Sequence, residues 1–118
     1  MQKRILAIDD DNDLLEVFPM IFKDRDYLLK GITDISDLDK TVGDFKPDLI
    51  LLDIWIGAID GRVVCNYLKS HEETADIPIV LISGVLIDID DVNCTPDAIL
   101  QKPFEIGDLL GVTNELLN

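Results

Sequence analysis

Four short stretches, Arg4–Ile8, Leu49–Leu52, Ile77–Ile82 and Ala98–Leu100, are almost wholly apolar and rich in Ile, Leu and Val. A strand with one wet face alternates apolar and polar residues. A strand lacking that alternation has to be covered on both faces. Tyr27–Thr33 is a weaker stretch of the same kind. Between these runs the apolar spacing becomes helical. Leu14, Leu15, Phe18, Ile21 and Phe22 share one stripe, as do Val63, Val64, Tyr67 and Leu68, and again Ile106, Leu109, Leu110, Thr113 and Leu116. Asp34–Phe45 predicts a weaker second helix. Asn12 or a neighbouring aspartate can cap the first helix, and Pro19 inside it removes a hydrogen bond and predicts a kink. Strand and helix thus alternate about five times. Right-handed crossovers turn that alternation into an α/β fold, a doubly wound parallel sheet with helices on both faces. With 118 residues, the chain is expected to form a single domain over residues 1–118.

Charge narrows the function. Twenty-four Asp and Glu against ten Lys and Arg give a net charge of −14. Nucleic acids and anionic membranes recruit basic patches, so direct binding to either is not expected. After the basic "MQKR" only Ile5–Ile8 is apolar before the aspartates, too short for a secretion signal. No apolar run approaches the roughly 18 residues of a membrane span. Two cysteines, Cys65 and Cys94, suit a reducing compartment better than a disulfide framework, and a cytoplasmic location is expected.

In open parallel sheets the binding crevice lies beyond the carboxyl ends of the strands, where the strand order switches. Asp9 and Asp10 follow the first apolar run, Asp53 ends "PDLILLD", Ser83 ends "IPIVLIS", and Lys102 follows "AILQ" and precedes Pro103. Three carboxylates, a hydroxyl and an ammonium are therefore expected at one sheet edge. Crowded carboxylates repel unless a cation sits among them. Hard oxygen ligands with open positions suit Mg²⁺, with phosphate oxygens completing its shell. Lys102 and Ser83 then suit the phosphate from the other side. Asp11 reads as a helix-start residue favoured by the helix dipole rather than as a ligand.

The motifs "IDDD" at Ile8–Asp11, "LLDIWIGAIDG" at Leu51–Gly61, "VLISG" at Val80–Gly84 and "QKPF" at Gln101–Phe104, in this order, resemble the receiver domain of bacterial response regulators. The resemblance covers the whole chain. It implies a flavodoxin-like (βα)5 fold with strand order 2-1-3-4-5. It also implies a phospho-accepting protein of a two-component system that catalyses only its own phosphorylation and dephosphorylation. Asp53 would be the phosphoacceptor, and Asp9, Asp10, Asp53 and the backbone carbonyl of Trp55 would hold Mg²⁺. Ser83 would bind the phosphoryl group, Lys102 would pair with Asp53 and then with phosphate, and Lys102–Pro103 would be a cis bond. The implied partners are a sensor histidine kinase or histidine phosphotransfer protein and a downstream protein target, with a homodimer as a further possibility.

Two departures stand out. The aromatic residue usual three positions before the lysine is Ile99 here. The segment "GVLIDIDDVNCTPDAIL" between Ser83 and Lys102 is short and weakly periodic, which predicts a short, displaced or irregular fourth helix. Among other residues, His71 reads as a surface residue and Cys65 as a buried or half-buried helix residue, while Trp55 reads equally as loop packing or as a lid. Two rival readings compete with the resemblance. One is a haloacid-dehalogenase-like phosphatase with Asp9 as nucleophile; it leaves Asp53 unexplained and lacks a paired acidic motif after Lys102. The other is an interaction module on the same fold that works without phosphorylation.

Overall fold

The computed structural model describes residues 2–84 and 94–118. Five parallel strands form the sheet: β1 (Lys3–Ile8), β2 (Tyr27–Ile32), β3 (Leu49–Asp53), β6 (Ile79–Ser83) and β7 (Ala98–Gln101). A small antiparallel hairpin, β4 (Trp55–Ile56) and β5 (Ile59–Asp60), follows β3. The sheet order is β2-β1-β3-β6-β7. Counted without the hairpin, this is the expected 2-1-3-4-5, with the switch in order between β1 and β3. Registers Ile5↔Leu49, Ile50↔Ile79 and Val80↔Ala98 bring the carboxyl ends of the three inner strands and β7 to one edge.

Side-chain alternation along the strands separates two cores. Ile5, Ala7, Leu49, Leu51, Val80, Ile82 and Leu100 pack with Phe18, Phe22, Leu109 and Leu117, which belong to α1 (Asn12–Ile21), its C-cap and α4 (Ile106–Leu117). Leu6, Ile8, Ile50, Leu52, Ile79 and Leu81 pack on the other side. Their partners are Leu38 and Val42 of α2 (Leu38–Phe45) and Val64, Cys65 and Leu68 of α3 (Gly61–Lys69). Both faces of the sheet are covered, which is why the inner strands carry no polar alternation.

Helix boundaries follow local chemistry. Asp11, not Asn12, caps α1: its carboxylate accepts from the amides of Asp13 and Leu14. The helix runs through Pro19 and ends two residues later. The second helix starts at Leu38 rather than Asp34. Asp34 instead accepts from the amide and hydroxyl of Ser36, a local turn that competes with helix. Lys46 closes α2 in the left-handed region at φ 53°. The strand expected from Ile77 begins at Ile79, because Pro78 has no N–H to give a ladder. The expected irregular fourth helix falls largely on residues 85–93, outside the described residues. Cys65 is fully buried, and His71 lies exposed after α3.

Candidate functional site

The ends of β1, β3, β6 and β7 deliver polar groups to the same edge. Asp9 follows β1 and is buried; Asp10 beside it is exposed. Asp53 is the last residue of β3, buried, and in register with Ile82. Ser83, the next residue along β6, is buried. Its carbonyl accepts from the Lys102 amide at 2.6 Å, so the ends of β6 and β7 are clamped together. The Lys102–Pro103 bond is cis.

One carboxylate oxygen from each of Asp9, Asp10 and Asp53 lies within 4.8 Å of the other two. The Lys102 ammonium stands 3.7 Å from Asp9 Oδ2 and 3.9 Å from Asp53 Oδ2, too long for a tight hydrogen bond to either. Asp9 Oδ1 accepts from the Asp11 amide at 2.9 Å. Asp9 Oδ2, buried, has no hydrogen-bond partner among the described residues. One ammonium is thus set against three carboxylates. Burial first, and then the Asp9 charge, push the Asp53 carboxyl up from 3.8 to about 6, only partly offset by Lys102 and the Trp55 amide.

These residues fit a hard divalent cation. The donors are all oxygens, they converge, one is buried without a hydrogen bond, and the cluster carries excess negative charge. Asp11 is spent as the α1 cap and lies outside the cluster.

The hairpin after Asp53 and the start of α3 add two glycines to the frame of the site. Gly57, at φ 61°, gives its amide to Asp10 Oδ2 at 2.9 Å, tying that carboxylate to the loop after β3. Gly61 opens α3 against β3. A Cβ there would sit 2.1 Å from the Asp53 carbonyl oxygen and 2.9 Å from the Ile54 Cα. Their signal was present in "WIGAIDG", as glycines spaced around a short turn. Trp55 opens the hairpin, paired with Asp60, and is 48% exposed. Ile99 lies on β7, exposed.

The raised Asp53 carboxyl has a measurable consequence. Between pH 3.8 and about 6 the unfolded carboxyl has lost its proton while the folded one keeps it. The folded state then binds more protons, so this residue's contribution falls as pH rises and is wholly unfavourable above about 6. The metal-free stability difference between Asp53→Asn and wild type is therefore expected to be small below the window and to grow through it. Denaturant titrations across that range would record it; a difference that shrinks with rising pH would contradict the electrostatics.

Residues 5–114 match the family described as response regulator receiver domain. Among curated proteins, the DNA-binding dual master transcriptional regulator RpaA of a Synechocystis strain is 32% identical over 97% of this chain and 48% of its own length. The chain spans about half the length of the curated relatives it matches. Among solved structures, the signal receiver domain of a response regulator from Bermanella marisrubri superposes with a TM-score of 0.88 at 25% identity, covering 100% of both chains. The signal receiver domain of a histidine kinase from Syntrophus aciditrophicus gives 0.85 at 25% identity, covering 98% of this chain and 89% of that one.

Proposed function

The chain belongs to the response regulator receiver domain family, and from that premise we propose that it takes a phosphoryl group onto Asp53 in a Mg²⁺-dependent reaction. The observation that carries the reading is the carboxylate cluster around Asp53, short of positive charge and facing Lys102.

The residue roles follow from that geometry. Asp53, ionised at neutral pH although its carboxyl is raised to about 6, attacks the phosphorus of a phosphodonor. A new oxygen–phosphorus bond forms, the bond from phosphorus to the donor breaks, and the product is an acyl phosphate. Lys102, now between Asp9 and Asp53, swings its ammonium to the incoming phosphate oxygens. Ser83 donates its hydroxyl to another of them, a charge-assisted bond in a buried setting. Beyond the nucleophile Asp53 itself, positioning and charge compensation carry the rate. Asp9, Asp10, Asp53 and the Trp55 carbonyl would hold Mg²⁺, which when bound neutralises charge on the transferring oxygens. We read residues 1–118 as one receiver unit that acts only on its own phosphorylation state. A phosphohistidine of a sensor kinase or phosphotransfer protein is the proposed donor, in the cytoplasm; among the described residues no helix is long and apolar enough to cross a membrane. Signal output passes to a protein target. The phosphatase alternative has no use for Asp53, a member of the cluster.

The metal assignment has a readout separate from phosphorylation. Mg²⁺ at about 100 times its dissociation constant should stabilise the wild-type fold by about 2.7 kcal/mol at neutral pH. Asp10→Asn, which removes a charged oxygen ligand, should need far more metal for the same gain. Thermal melts over a Mg²⁺ series decide this; equal metal-induced shifts in both proteins would overturn the ligand set.

A further inference from the structure

We propose that the groove between α2 and α3 docks a basic amphipathic helix of a partner protein. Ile59, Val63 and Tyr67 follow one another at four-residue spacing and are 43%, 52% and 38% exposed. Exposed apolar residues scattered singly are ordinary, but a contiguous row with polar edges marks a contact surface. The facing wall is Ile35 and Leu38, and together these side chains line a hollow of about 620 Å³. Ile59 lies on β5 just before α3, and Val63 and Tyr67 lie about one turn apart on α3; a partner helix reads such a groove with anchors at i, i+3 or i+4, and i+7.

Charge chooses the occupant. Asp37 and Asp39 stand on the rim. The rim cation Lys40 is paired with Asp44 at 2.8 Å, and nearby Arg62 with Asp60 at 2.8 Å, so each of these positive charges is matched by a carboxylate and Asp37 and Asp39 leave the rim acidic. Asp39 also accepts from the Tyr67 hydroxyl at 2.7 Å, fixing one acidic group across the groove. With a net charge of −14 behind it, this surface steers cationic partners toward an apolar seat. The seat lies on the α2 and α3 side of the sheet, and it forms without any phosphoryl chemistry, so the proposal stands or falls apart from that reading.

The test uses the full chain and a fluorescein-labelled synthetic helix of roughly 18 residues, long enough to fold in the groove. Its leucines follow helical spacing and its other face is lysine and arginine. One control replaces the basic residues with glutamate; another scrambles the leucines. In anisotropy titrations the basic amphipathic peptide should bind more tightly than both controls. Val63→Asp and Ile59→Asp should each weaken it about tenfold or more. Both sites are exposed, and melting curves verify the fold. Met20→Asp, on the opposite side of the sheet and 69% exposed, should leave binding unchanged. Equal binding of all three peptides, indifference to Val63→Asp, or an equal loss with Met20→Asp would overturn the proposal. Sedimentation showing self-association that Val63→Asp abolishes would make the occupant a second copy of this chain and overturn it as well.

Discussion

Asp53→Asn is expected to take up no phosphoryl group from acetyl phosphate and Mg²⁺ under conditions that label the wild type. An amide nitrogen or oxygen is a poor nucleophile toward phosphorus, and no neighbouring carboxylate replaces it. Asp9 is buried and pinned through Oδ1 by the Asp11 amide, and Asp10 is held by the Gly57 amide. The same substitution should stabilise the metal-free fold at neutral pH by about 1–2 kcal/mol. It removes a charge whose burial and crowding push its carboxyl to about 6, a penalty reduced by solvent at the site's open side. Loss of function with gain of stability separates this account from simple misfolding. Intact-mass measurement and denaturant titration of the same preparation provide the two readouts. Labelling that survives in Asp53→Asn would point to Asp9 and the phosphatase chemistry.

Gly61→Ala should be the most damaging of the glycine-to-alanine changes among the described residues. The added Cβ meets backbone, not a flexible side chain: the Asp53 carbonyl oxygen at 2.1 Å, the Ile54 Cα at 2.9 Å and the Asp53 carbonyl carbon at 3.0 Å. Relief requires α3 to move off β3 or the end of β3 to shift. We expect a loss of about 3 kcal/mol or more, roughly 10 °C in melting temperature. Phosphoryl uptake should fall too, because the displaced atoms belong to Asp53, the proposed acceptor, and its neighbour Ile54. Gly111→Ala is the matched control. It lies inside α4 with nothing within 4 Å of its added Cβ, and should be neutral or stabilising by up to about 1 kcal/mol. Equal melting temperatures for the two variants would refute the close-approach argument.

The parallel sheet was legible because burial on both faces erases polar alternation, a pattern with few other causes. Asp9, Asp10, Asp53, Ser83 and Lys102 could be collected at one edge for the same reason, since each ends or follows an apolar run. The hairpin was not legible. Its strands hold two residues each, too few for any periodicity, and only the glycines of "WIGAIDG" hinted at it. The start of α2 falls later than its spacing suggests because a side chain satisfies backbone groups locally, as Asp34 does with Ser36. The α1 cap came down to a choice among adjacent residues that spacing cannot make. Exposure along α3 was hidden too, because Val63 and Tyr67 share the apolar stripe with the buried Val64 and Leu68 and only the packed fold separates them.

The central claim, that Asp53 is the phosphoacceptor, is tested most directly by locating the modification on the wild-type chain. After incubation with acetyl phosphate and Mg²⁺, the acyl phosphate is trapped by borohydride reduction, and peptide mass spectrometry finds the modified residue. The account predicts a single reduced position, Asp53, with none in a reaction stripped of Mg²⁺ by chelator. Modification at Asp9 or Asp10, or equal modification with and without Mg²⁺, would contradict it.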